Sequence, residues 1–515
     1  MKSNFKPLGI AAAVAVASAG YANVASAQTV ANNALGDLAL VPYYTVQGDW
    51  LTGIHIVNTS DRTQVVKFRF RRATDSLDAL DFNVVMSPKD VYAGFINADE
   101  NGTITWSADD TSCTVPGGAL QMPPIYREGA DTGYVEIIAM GTPEAETSPI
   151  AVAAKHKAGT PLDCAAVRSN FFADGDDATA TKGIVHTQRS YQDSSTASLD
   201  GVNVYEGSGN VLKVSYFIRD NASGIEFGDN AVHIQNFLSN AQMSNQEYGY
   251  LSGDLNGFDF PDLDGGVPTG TDGSGTGSER GKFDDLRAGS VLGVANLINE
   301  WTANSANGAA LDWVVTMPGQ YTMVDMPQYL AALLDAADGE DDTDEVCERG
   351  SGTATLGCDN RDIPVEATIL PYNREELTTE DPEGDLVVSP APPGTIQRLT
   401  LAKETNVITF GGNSVLGVSD VDVTADLEQP YGWLALAVDP AKDYLGGESA
   451  VCAWNPGEDG GYNATAGALL TMTCVSTTND NVPMIGFAAW ARQVAANPDA
   501  SYGRIVAHSF ESSGT

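Results

Sequence analysis

The segment "VVKFRFRR" constrains this chain most, because its apolar residues recur every second position. In a strand successive side chains point to opposite faces, so Val66, Phe68 and Phe70 are expected to face inward while Lys67, Arg69 and Arg71 face water. The same period sets Leu212, Val214, Tyr216 and Ile218 against Lys213, Ser215 and Arg219. Further short runs rich in β-branched or aromatic residues follow: "LALVPYYTV", "GIHIVN", "LDFNVVM", "VYAGFI", "YVEIIAM", "VHIQNFL", "LDWVVTM", "TNVITF", "GWLALAV", "MIGFAAWA" and "GRIVAHS". Each is bounded by Gly, Asn, Asp or Pro, the punctuation of strands. Helical signal is confined to "MPQYLAALLDAAD" and, more weakly, "SPIAVAAKHKAG". Many short strands with few helices predict an all-β fold of antiparallel β-sandwich domains, with long acidic, Gly-rich inserts and few short helices.

The N-terminus fixes where such a fold would form. Lys2 and Lys6 precede an apolar run too short to span a bilayer, and Ala25-Ser26-Ala27 closes it. That order is a secretory signal peptide, with cleavage expected after Ala27. Of 515 residues, 488 would remain. The expected organisation is a signal peptide at 1–27, a β-sandwich at 28–250, a Gly/Asp-rich linker or loop at 251–290, and a second β-rich domain at 291–515. The two β regions could equally form one composite sandwich. No later segment reaches the roughly 20 apolar residues of a transmembrane helix, so the expected product is exported to the extracellular medium, the cell surface or the periplasm.

Lys and Arg number 27 against 68 Asp and Glu, a net charge of −41, and loss of Lys2 and Lys6 takes it to −43. Such a field repels polyanions, which disfavours nucleic acid and anionic membrane surfaces as partners and favours divalent cations. The six cysteines, Cys113, Cys164, Cys347, Cys358, Cys452 and Cys474, form no zinc or CxxC spacing. In an exported chain their even number argues for disulfides. Sequential pairing is expected: Cys113 with Cys164, Cys347 with Cys358, and Cys452 with Cys474.

Chemistry-bearing patterns are few. Asp254, Asn256, Asp259, Asp262 and Asp264 are hard oxygen donors among turn-forming glycines, suited by type to Ca2+ though not by spacing to an EF-hand. An acidic surface loop is the plainer reading, as it is for the charge block at Asp335, Asp338, Glu340, Asp341, Asp342, Asp344 and Glu345. His55, His156, His186, His233 and His508 show no metal-binding spacing. There is no GxSxG elbow, Walker loop or Rossmann glycine fingerprint, and "GGNSVLG" around Ser414 reads as a turn. Arg62, Lys67, Arg69, Arg71 and Arg72 concentrate positive charge, either for an anionic ligand or for pairing with acidic residues of this or a neighbouring molecule. Trp50, Trp301, Trp313, Trp433, Trp454 and Trp490 lie in or beside strands, as core filling or as a carbohydrate-stacking face.

At "LALVPYYTVQGDWLTGIHIVNTS", "VVKFRFRRA", "ALDWVVTMPGQY", "ETNVITFGGNSVLG" and "YGWLALAV … PMIGFAAWA" the chain resembles a family of uncharacterised exported proteobacterial proteins. The resemblance implies a signal peptide, export and one long polypeptide, and brings no functional residue with it. The expected function is a non-enzymatic structural or adhesive protein of the cell surface, surface-layer-like or matrix-like and ordered by Ca2+. The alternative is a module that binds extracellular polysaccharide or another ligand. A secreted hydrolase ranks below both, because carboxylate pairs need no linear motif. Cell-surface polysaccharide and self-association are the expected partners.

Overall fold

A computed structural model describes residues 28–169, 205–238, 291–319, 365–373, 397–423, 431–438, 482–494 and 500–511. It also describes the strand pair 450–455 and 471–476 and the single residues 241, 261 and 263, and it omits 75, 77, 295, 304–307 and 413 within those spans. Among the described residues the architecture is all-β, built from almost wholly antiparallel sheets with two six-residue α-helices, Pro149–Ala154 and Cys164–Ser169. Among the described residues no helix is long and apolar enough to cross a membrane.

The first sandwich faces two sheets. One runs Thr29–Val30, Val232–Gln235, Leu38–Thr45, Thr132–Pro143, Gln64–Arg72, Asp78–Met86, Cys113–Val115 in spatial order. The other runs Glu226–Asn230, Leu212–Asp220, Trp50–Asn58, Val91–Ala98, Ile104–Ala108, Leu120–Gln121. Phe68, Phe70 and Phe82 of the first meet Tyr92 and Trp106 of the second in a buried aromatic cluster, with Phe68 and Phe82 stacked at 4.9 Å. The inward half of the "VVKFRFRR" pattern is therefore the core, and Leu212–Asp220 alternates buried and exposed as its sequence does.

The outward half departs from expectation. Lys67, Arg69 and Arg71 do not face water; they are 1%, 1% and 0% exposed. The sheet is covered on both sides, because the two helices pack on one part of its outer face and Leu263, Val291 and Leu292 on another. Charge can sit there because the neighbouring strands carry carboxylates on the same face. Register puts Asn83, Asp81 and Asp78 opposite Lys67, Arg69 and Arg71 on one side, and Glu136 opposite Arg69 on the other.

The second sandwich pairs a sheet ordered Gln397–Leu401, Val365–Asn373, Tyr431–Val438, Asn296–Thr302, Ser509–Glu511 with one ordered Val421–Val423, Thr405–Phe410, Ala309–Thr316, Ile485–Arg492, Tyr502–Ala507. Trp301, Trp313, Phe410, Leu434 and Leu436 fill the space between them. The second of these sheets turns its other face to the first sandwich. Val314, Val407, Val415, Leu416, Phe487, Ala489 and Ala491 belong to the same buried cluster as Phe68 and Tyr92, so one apolar core runs through both halves. Thr316 Oγ1 donates to the Pro42 carbonyl at 2.6 Å, and Ser76 Oγ donates to Glu404 at 2.7 Å across the same junction.

Cys113 and Cys164 form a disulfide, as expected, joining a sheet-edge strand to a helix. Cys452 and Cys474 lie directly opposite in an antiparallel pair, whereas Cys347 and Cys358 lie outside the described residues. In "SPIAVAAKHKAG" the helix ends at Ala154, and His156–Lys157 pairs with Thr160–Pro161 through a turn where Ala158 and Gly159 take positive φ. The "MPQYLAALLDAAD" helix lies outside the described residues.

Candidate ligand-binding face

The basic cluster is consumed internally. Lys67 Nζ meets Asp81 at 2.9 Å and Arg69 Nη2 meets Asp78 at 3.0 Å, each reaching diagonally past the residue opposite. Arg71 Nε meets Glu136 at 3.2 Å and its Nη1 donates to the Ser76 carbonyl at 3.1 Å. Arg72 donates to the Glu128 carbonyl, and half-exposed Arg62 pairs with Glu206 at 2.8 Å. Burial lowers the Lys67 ammonium below its usual range, with Asp81 opposing the shift. Burial and Arg71 push Arg69 the same way, yet Asp78, Asp81 and Glu136 together hold it above its usual value. These cations are braces between strands, not an open anion site.

Asp254, Asn256, Asp259, Asp262 and Asp264 lie outside the described residues. Their neighbours are placed: the Pro261 carbonyl accepts from Arg69 Nη1 at 3.1 Å, and Leu263 is fully buried beside Leu38 and Leu40. The acidic block of residues 335–345 is also outside. Among the described residues no three His, Cys, Asp or Glu side chains converge as metal ligands.

His156 is the polar cluster closest to a catalytic arrangement. Its Nε2 lies 3.2 Å from Thr111 Oγ1, while its Nδ1 lies 3.1 Å from Ser87 Oγ and 3.5 Å from Asp90. The Thr111 hydroxyl donates to the Gly159 carbonyl at 2.9 Å, so its proton points away from the imidazole. The cluster clasps the 156–161 hairpin to two turns of the first sandwich. Ser414 likewise serves a turn, donating to buried Asp312 at 3.0 Å.

The tryptophans separate by environment. Trp301 and Trp313 are 2% and 0% exposed, and Trp50 is partly buried against Phe227. Trp490 is partly buried, and the side chain of Trp454 lies outside the described set. Trp433 is 41% exposed. It sits on the central strand of its sheet, on the face opposite Leu434 and Leu436, among the small side chains of Ala435 and Ala437. Its indole stacks flat on Tyr372 across the strand pair, ring centres 4.2 Å apart and planes 9° from parallel. Burial raises the Tyr372 phenol above its usual pKa, which keeps the hydroxyl neutral. On the other side Glu300 stands directly opposite Trp433. Glu300, Trp433 and Tyr372 thus form one row across three strands.

The row is pinned from beneath. Buried indoles must satisfy their N–H, and here Trp301 Nε1 donates to the Tyr372 carbonyl at 3.0 Å while Trp313 Nε1 donates to the Glu300 carbonyl at 2.8 Å. Two core tryptophans therefore fix the backbone on which the exposed one is displayed. Sequence reasoning had Trp433 among its candidates but missed Tyr372 and Glu300. Their signal was the register of "ATILPYN", "YGWLALAV" and "NLINEWT", which becomes visible only once the strands are paired. No protein-family model, curated protein or solved structure matches this chain.

Proposed function

We propose that this is an exported, non-enzymatic adhesive protein of the bacterial cell surface or matrix, which holds its target through the face centred on Trp433. The observation that carries the reading is Trp433, 41% exposed on the outer face of a sandwich sheet, stacked flat on the buried ring of Tyr372 and anchored from the core beneath. A rigid, amphipathic aromatic plane costs little ordering entropy on binding and matches the apolar face of a pyranose ring. Polysaccharide is accordingly the target class. Internal pairing of Lys67, Arg69 and Arg71 removes the alternative of an anionic ligand held on that strand.

The test is retention of the mature chain on immobilised polysaccharides, compared with Trp433→Ala. Truncating a central aromatic anchor should weaken retention by about tenfold or more, with only a modest fall in melting temperature from the lost stack on Tyr372. Equal retention of both proteins, or turnover of the polysaccharide, would refute the reading.

A further inference from the structure

Beyond Trp433, the sandwich edge carries a continuation of the same surface. Among the described residues the strand Asn296–Thr302 pairs with Ser509–Glu511 only over Asn296–Ile298, and Glu300 lies beyond that pairing with its side chain 41% exposed. Its carboxylate turns around the edge to Arg504, with Oε1 at 2.6 Å from Nη2. Arg504 lies over the Trp490 ring, its Cζ 5.1 Å from the centroid, and Trp490 in turn meets Tyr502 at 5.5 Å. Tyr502 is 49% exposed, and the Arg504 and Glu300 side chains are 54% and 41% exposed. Two exposed rings, Trp433 on one side and Tyr502 on the other, thus flank an accessible ion pair on one wrapped strip, each backed by a more buried aromatic neighbour.

The chemistry of the strip selects its occupant. Aromatic planes at both ends suit sugar rings. The pair between them keeps spare capacity, since a guanidinium has five N–H donors and a carboxylate about four acceptor sites, and their mutual bond uses only part of each. The remainder suits vicinal hydroxyls, which both donate and accept. Because Glu300 and Arg504 neutralise one another within a chain of net charge −41, a uronic or sulfated polymer is disfavoured.

Resting on the proposed polysaccharide reading, we infer that the ligand is a neutral polysaccharide bound along its length, passing from Trp433 around the Glu300–Arg504 edge to Tyr502. Stations that engage one chain in succession make affinity depend on chain length.

Calorimetric titration with neutral oligosaccharides from disaccharide to octasaccharide tests this, using the parent, Trp433→Ala, Tyr502→Ala and Arg504→Gln. The parent should gain roughly tenfold or more in affinity from the shortest to the longest ligand. Tyr502→Ala and Arg504→Gln should lose that gain while binding disaccharide as the parent does, and Trp433→Ala should lose both. Added salt should leave the titrations unchanged. If the parent binds with no dependence on length, or the two edge variants match it on long chains, the strip is refuted and the Trp433 site stands. If the parent binds only acidic polymers, the neutral class is refuted. If it binds no saccharide at all, the polysaccharide reading falls and takes this inference with it.

Discussion

Asp312 holds its carboxyl at the junction of the two sandwiches, fully buried, where Oδ2 accepts from Ser414 Oγ and from the backbone N–H groups of Val415 and Leu416. Burial raises its pKa to about 7 despite those three donors. The folded chain therefore binds a proton that the unfolded chain has released, so this group's contribution to stability is full below about pH 4 and is lost as pH rises towards 7. His508 works in the opposite sense: burial depresses it to about 4, so its contribution is present above the ordinary histidine value and is lost as pH falls through the folded one. Replacing Asp312 with Asn keeps an acceptor for the three donors and removes the titration. Urea denaturation of parent and Asp312→Asn between pH 5 and pH 8 should show the variant gaining on the parent as pH rises, by a few kcal/mol overall. A constant difference would mean that the carboxyl stays ionised in the fold.

At the scale of the element, the strand Gln64–Arg72 is held by apolar packing on one face and by ion pairs on the other. Breaking one buried pair leaves a charge with no compensation, which costs about 3–5 kcal/mol, whereas replacing both partners with apolar residues is often close to neutral. Glu136→Gln should therefore lower stability strongly, and Arg71→Met combined with Glu136→Leu should recover most of the loss, as read from denaturant midpoints. Failure of the double variant to recover would mean that Arg71 also braces the Ser76 turn through its bond to that carbonyl. This strand also marks how far the sequence could be read. Alternation identified Val66, Phe68 and Phe70 as core because apolar side chains have one good destination. It sent Lys67, Arg69 and Arg71 to water and was wrong, since water and a layer of carboxylates from Asp78, Asp81 and Glu136 satisfy a cation equally well in one dimension. In "GWLALAV" both faces are apolar, so Trp433 and Leu434 looked alike. What separates them is that the Trp433 face carries Tyr431, Ala435 and Ala437 along its own strand and leaves Trp433 41% exposed.

For the whole molecule, the shared core decides how it unfolds. Phe487 of the second half packs against Tyr216 of the first, ring centres 6.3 Å apart, within the cluster that also holds Phe68 and Trp106. Separating the halves would expose apolar area on both, so calorimetry should record one cooperative transition for the two sandwiches. Phe487→Ala should lower that single transition as a unit, at a cost of about 3–5 kcal/mol. Two resolved transitions, only one of them sensitive to Phe487, would contradict a common core.

That continuity sets a condition on biogenesis. A polypeptide delivered N-terminus first, from a ribosome or a secretion pore, carries the walls of its first sandwich early but receives Phe487, Ala489 and Ala491, which pack against them, only long after Tyr216 has emerged. Until then an apolar flank stays open to strangers, the situation in which nascent β-proteins aggregate. Cells that make this chain in quantity would need a holding factor, or rapid delivery of the whole length, before the first half can safely close.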